Sequence, residues 1–175
     1  MQENVKTVTV RSTGIRYGLI LGVLGIIMFI LFIIFSVDMS SNVRWLGYPL
    51  YIVIVVLAHM YYKTNGDGFM TYPQGVGIAF WAGLISSGIS SVFTYMYVKF
   101  VDDGMIQMIR QAQIEQFEAQ GKTDAEIDQM MKFVSMFSSP EAIFVFGIVG
   151  GIVSMVIIGV IVSIFTQKSN PQPTF

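Results

Sequence analysis

The chain of 175 residues contains no cysteine and a single histidine, His59. Without thiols there is no disulfide framework, no thiol redox chemistry and no cysteine-ligated metal. One imidazole cannot build a multi-histidine metal site, and no cofactor is expected. Charge is scarce too: lysine, arginine, aspartate and glutamate make up 12% of the residues, about half the share in an average soluble domain. Ten basic against eleven acidic side chains leave a formal charge of −1, which excludes the broad basic surface that a nucleic-acid partner needs. Apolar residues fill the gap, at 54% of the chain with a mean hydropathy of +0.66. A water-facing sphere of this mixture would expose large apolar patches and aggregate. A soluble enzyme is therefore excluded, and the solvent is a bilayer.

Four stretches carry no charged side chain: Tyr17 to Val37, Trp45 to Tyr62, Gly75 to Val98 and Ala142 to Thr166. Each approaches or exceeds the roughly 20 residues with which a helix crosses the hydrocarbon. The expected fold is an all-α integral membrane protein with four transmembrane helices and a helical hairpin between the third and fourth. Trp45, Tyr48 and Tyr51 at one end of span 2, and Tyr61, Tyr62 and Lys63 at the other, supply interfacial anchors. Span 1 is too long for a secretory signal and ends without a small-residue cleavage site. Lys6, Arg11 and Arg16 precede span 1 while the next loop offers Arg44, so the basic-residue rule keeps the N-terminal segment, and with an even span count the C-terminus, in the cytoplasm. The chain then divides into a cytoplasmic tail (1–16), spans 1 to 3 (17–98), a periplasmic connection (99–141), span 4 (142–166) and a second cytoplasmic tail (167–175).

The 43 residues from Lys99 to Glu141 are too many for a structureless loop in a compact protein. Ile106, Ile109 and Phe117 recur at helical spacing and Gly121 stops the run. Thr123 with Glu126 forms a capping-box pattern, after which Ile127, Met130, Met131, Val134 and Phe137 continue a second helix. Ser139 and Pro140 open span 4. From Lys99 to Lys132 four basic residues face seven acidic ones, so electrostatic attachment to anionic lipid is not expected. The apolar, Met-rich edges either fold onto each other as a lid or form an adaptable docking face for a protein or a lipid chain.

Small residues recur every four positions: Gly14, Gly18 and Gly22 in span 1, Ala79, Gly83, Ser87 and Ser91 in span 3, Gly147 and Gly151 in span 4. In lipid such seams allow the close backbone approach that holds helices together. Spans 1, 3 and 4 are expected to form the packed centre, with span 2 facing more lipid. Arg16, His59, Asp67, Tyr72 and Gln74 fall near one membrane face. They are either turn and packing residues or a small headgroup or phosphate site with Arg16 as its cation and His59 as its titrating partner. Asp124, Glu126 and Asp128 mimic the first ligands of a calcium loop, but Gln129 replaces the glycine and Ser135 the final glutamate. No phosphate loop, zinc-protease motif or nucleophile triad is present.

The runs Arg11 to Gly18, Leu57 to His59, Asp67 to Tyr72 with Gln74 and Gly75, and Phe137 to Ala142 resemble a domain-of-unknown-function family of small four-span inner-membrane proteins from Bacteroidota. Pro73 stands where that family carries glycine. The resemblance covers nearly the whole chain and implies a multi-pass location in the bacterial inner membrane; it brings no catalytic residues. The resulting expectation is a non-enzymatic accessory or scaffold subunit that meets membrane lipid and a membrane-protein partner. The alternative is a carrier or flippase-type helper for a lipid-linked substrate, working through Arg16, His59 and Asp67.

Overall fold

The computed structural model describes residues 8–35 and 47–170. Lys6, the turn from Asp38 to Arg44 and Trp45 lie outside the described residues, as do the side chains of Met105 and Ile109. Six helices follow in order: α1 (Val10–Ile34), α2 (Gly47–Asn65), α3 (Tyr72–Phe100), α4 (Gly104–Ala119), α5 (Asp124–Phe137) and α6 (Pro140–Thr166). Three of them, α1, α3 and α6, are long and apolar enough to cross a membrane. The fourth expected span, α2, has 19 residues, but its tyrosines, His59 and Lys63 leave it below the mean hydropathy of the other three.

Several helices start earlier than the apolar runs alone indicate, because local capping extends them. The α1 helix begins at Val10, where Thr9 Oγ1 accepts from the Ser12 amide at 3.0 Å and the Thr9 amide donates to Ser12 Oγ at 3.0 Å. Residues 10–16 thus form the first turns of α1. The α3 helix begins at Tyr72, with the Thr71 amide donating to Gln74 Oε1 at 2.7 Å. Pro73 fits this first turn because its missing N–H would be unpaired there anyway.

The axis of the molecule is α3. Along α1, Gly14 meets Trp81 and Ile78, Gly18 meets Ala82 and Ile85, and Gly22 meets Ile89. Contacts rise on both helices together, so α1 and α3 run parallel and α2 returns between them. Against α6 the order inverts: Ser91 lies on Gly147, Ser87 on Gly151, Gly83 on Met155, Ala79 on Gly159 and Gly75 on Ser163. Each step of four down α3 matches a step of four up α6, which is an antiparallel seam with a small residue in every pair. This explains why α3 has the lowest hydropathy of the three long helices, 1.6 against 2.9 and 2.8: it packs on both sides and needs small residues more than greasy ones. The α2 helix packs on α1, α3 and α6 through Ile54, Val55, Ala58 and His59, and exposes Ile52, Val53, Leu57 and Met60 on its other face.

The two ends of this bundle are closed differently. At one end Met70, in the α2–α3 turn, exchanges backbone hydrogen bonds with Lys168, just past α6, at 2.9 and 2.8 Å. Gly68, at φ +84°, makes the turn possible, because side chains are costly in that left-handed region. At the other end Lys99 bridges to Glu141 at 3.1 Å, tying the last turn of α3 to the first of α6. From this second end α4 and α5 project as a hairpin that meets the bundle at its roots, α4 on α3 and α5 on α6.

Within the hairpin Gly121, at φ +74°, terminates the first helix and Thr123 caps the second. Glu126 Oε2 accepts from the Thr123 amide at 2.9 Å and from its hydroxyl at 3.0 Å. The amide bond foremost, then the hydroxyl and the neighbouring Lys122, hold the Glu126 carboxyl below its ordinary range. A carboxyl depressed in the fold stabilises it above the unfolded value, about 4.3, and loses that contribution as pH falls through the folded value. The first turn of α5 should therefore fray on acidification below about 4.3, seen as faster amide exchange at Thr123 to Ile127, and Glu126→Gln should remove that pH dependence.

Candidate functional site

The five polar residues expected near one membrane face lie toward the end closed by the Met70–Lys168 bridge, on α1, α2, the α2–α3 turn and the start of α3. Arg16 is exposed; its guanidinium donates to the Tyr61 hydroxyl at 2.7 Å and sits 4.4 Å from the centre of that ring. Asp67 makes an Asx turn, accepting from the Phe69 amide at 3.0 Å. Gln74 is the cap partner already described, and Tyr72 lines a shallow apolar groove with Val76, Phe80 and Val160. Arg16 is thus engaged by α2, and Asp67 and Gln74 by their own turns.

His59 is the exception in depth: it is fully buried and joins three helices. Its Nε2 lies 3.0 Å from the Gly75 carbonyl of α3 and its Nδ1 2.7 Å from Thr166 Oγ1 of α6. A carbonyl can accept but not donate, so Nε2 carries the hydrogen, and a neutral ring then accepts the Thr166 hydroxyl at Nδ1. Lys63 Nζ donates to the Thr166 carbonyl at 2.8 Å, capping the end of α6. Both ring nitrogens are engaged in holding helices, which leaves the one histidine without a free edge for chemistry.

A different constellation appears in the other half of the bundle. Between α1, α2, α3 and α6 lies a cleft of about 450 Å³, within the range of ligand-binding pockets. One wall is a ladder of hydroxyls on α3: Ser86, Ser87, Ser90, Ser91 and Thr94. Ser154 of α6 faces it, Tyr48 and Tyr51 flank it from α2, and Leu21 with Met155 forms the apolar floor. Among the described residues no charged side chain lines it. Serines in apolar helices usually return their proton to a carbonyl one turn back. Ser86 does so, to Gly83 at 3.3 Å, whereas Ser90, Ser91, Thr94 and Ser154 have no hydrogen-bond partner among the described residues. Ser91 is buried, with 7% of its surface exposed.

Of the docking face expected on the hairpin, Ile106 and Ile127 are buried, Phe117, Met130, Met131 and Val134 are half-buried, and Phe137 is 49% exposed. Phe133 and Met136, which the sequence analysis does not single out, are exposed at 64 and 70%. Phe133 packs on Phe137 with ring centres 5.1 Å apart, and Phe137 on Phe146 of α6 at 5.8 Å. Phe146 is itself 54% exposed, so an aromatic strip runs from the hairpin onto the apolar outer face of α6.

Long apolar helices, an uncharged interior and seams of small residues place the chain among α-helical membrane-embedded proteins. More particularly, it belongs to the family described as Protein of unknown function (DUF4199), which matches residues 16–168. No curated protein and no solved structure matches the chain.

Proposed function

We propose that the chain is a four-span, non-catalytic protein of the bacterial inner membrane, an accessory or scaffold subunit whose hairpin docks a membrane-protein partner beside α6. In this reading α2 is the remaining span: its 19 residues reach about 28 Å at 1.5 Å each, close to the roughly 30 Å of hydrocarbon. Both termini lie in the cytoplasm, next to the α2–α3 turn, and the hairpin is periplasmic. The observation that carries the proposal is the exposed aromatic and methionine strip of Phe133, Met136, Phe137 and Phe146. It begins on a hairpin held at its roots and continues onto a lipid-facing helix, so an occupant must be apolar and seated in the membrane surface. The acidic remainder of the hairpin disfavours anionic lipid as that occupant.

The test is photocrosslinking in native membranes, with a benzophenone side chain at position 133 or 136 and, as control, at Glu118 on the polar edge of α4. Adducts to one defined membrane protein from 133 and 136, absent from 118, are expected. Adducts to lipid alone would refute the docking role. Accessibility labelling of single cysteines placed in the hairpin and in both tails checks the sidedness: the hairpin and the tails must react from opposite compartments.

A further inference from the structure

We propose that the hydroxyl-lined cleft between α1, α2, α3 and α6 is a binding site for the glycerol-ester region of a diacyl lipid. The proposal goes beyond the docking role and depends solely on the chain being membrane-embedded. Ser90, Ser91, Thr94 and Ser154 line the cleft with hydroxyls that have no partner among the described residues, and Ser91 is more than nine-tenths buried. A hydroxyl at membrane depth that makes no hydrogen bond costs free energy, so four of them around one space are a demand for oxygen atoms. The cleft says which oxygens. With no charged side chain on its walls among the described residues, a phosphate or an ammonium inside it would be an unpaired charge in a poor dielectric. Neutral acceptors, such as ester carbonyls, match.

Position and shape agree with that chemistry. The lining runs from Ser86, Ser154 and Met155 at the middles of α3 and α6 to Gly47, Thr94 and Ile143 nearer the hairpin, so the cleft extends from the centre of the bundle toward the end that carries the hairpin. The ester region of a lipid fits the hairpin-side end of that range, with the acyl chains running inward. Ser86, Ser90 and Thr94 stand four residues apart on α3, spanning about 12 Å along the wall, with Leu21 and Met155 beyond them for the first methylenes of the chains. Gly150 completes the lining and has nothing within 4 Å of where a side chain would start, so bulk can be added there without pushing helices apart.

The full chain, purified in mild detergent, is photolabelled with three probes that share one diazirine-bearing acyl chain: a diacylglycerol, a phosphatidylglycerol and a hydrocarbon lacking ester oxygens. The two ester lipids are expected to label peptides covering 86–94 and 147–154 at least tenfold more than the hydrocarbon. Ser90→Ala with Thr94→Val, which removes hydroxyls and little volume, should lower that labelling about fivefold, the worth of about one hydrogen bond. Gly150→Leu should abolish it, with thermal unfolding unchanged in both variants. Labelling by diacylglycerol alone identifies a neutral lipid as the ligand; labelling by both identifies the ester region of a phospholipid whose headgroup stays at the interface. Labelling spread evenly over the outer faces of the helices would overturn the proposal, as would cleft labelling undiminished by Ser90→Ala with Thr94→Val, and a cleft that no probe enters would be a water site instead.

Discussion

Gly159→Leu is expected to lower folding stability by at least about 3 kcal/mol, while Gly88→Leu, on the same pair of helices, leaves it unchanged. The readout is the midpoint of thermal unfolding in detergent, followed by tryptophan fluorescence. A Cβ at Gly159 would collide with the Ala79 side chain, with the Val76 backbone 3.8 Å away behind it. Neither can turn aside, so α3 and α6 must separate. Separation then opens the rest of the seam, where the corresponding clearances are 2.7 Å at Gly83 with Met155, 2.5 Å at Gly151 with Ser87 and 2.6 Å at Gly147 with Ser91. Lipid offers no hydrophobic force to press the helices back together, so the lost packing is not recovered. Gly88 has nothing within 4 Å of a built Cβ. Ser163→Ala, on the same face of α6, should act in the opposite direction: its hydroxyl is buried without a partner, and deleting an unmet hydrogen-bonding group leaves the midpoint unchanged or raises it by about 1 kcal/mol in stability. Equal losses at Gly159 and Gly88 would show that the seam does not hold the bundle.

The same seam shows what a single sequence can and cannot reveal about such a protein. Because lipid removes the contrast between an apolar inside and a polar outside, the remaining signal is residue size, and Gly14, Gly18 and Gly22 or Gly83, Ser87 and Ser91 carry it at helical spacing. Local rules were readable as well, since Thr123, Gly121, Ser139 and Pro140 act on neighbours within a turn. The cleft was not readable. Ser87 and Ser91 stand out as packing residues, yet Ser90, a turn of about 100° from Ser91, faces open space with Thr94 and Ser154. A spacing of four is the same for a seam and for a cavity wall, and Ser87 and Ser91 serve as both, packing on α6 and lining the cleft; which hydroxyls are left open is set by where α1 and α6 sit around α3. Arg16, Asp67 and Gln74 fail as a cluster for the same reason, because sequence placed them at one depth but not on one side. The Met70–Lys168 bridge has no periodic signature and could be found only from the fold.

His59→Ala is expected to cost about 2–4 kcal/mol, the second large effect, and to loosen one end of the molecule selectively. The ring fills a fully buried position between α2, α3 and α6, so truncation leaves a cavity as well as two lost interhelical bonds. Its partners are not both stranded: the Thr166 hydroxyl, released from Nδ1, can turn its hydrogen to the Val162 carbonyl 2.9 Å away, which keeps the loss below that of an orphaned buried network. Thr166→Val should cost less, about 1 kcal/mol, since it removes one bond and little volume. Thr166 lies two residues before Lys168, whose amide donates to Met70 at 2.8 Å, so releasing the histidine should speed amide exchange at Lys168 and Met70. Exchange at the opposite end, near Lys99 and Glu141, should stay as it was. This pattern separates a structural pin from a functional imidazole. A His59→Ala protein with an unchanged unfolding midpoint and unchanged exchange at Lys168 would mean that the ring is not holding the helices and is free for another role.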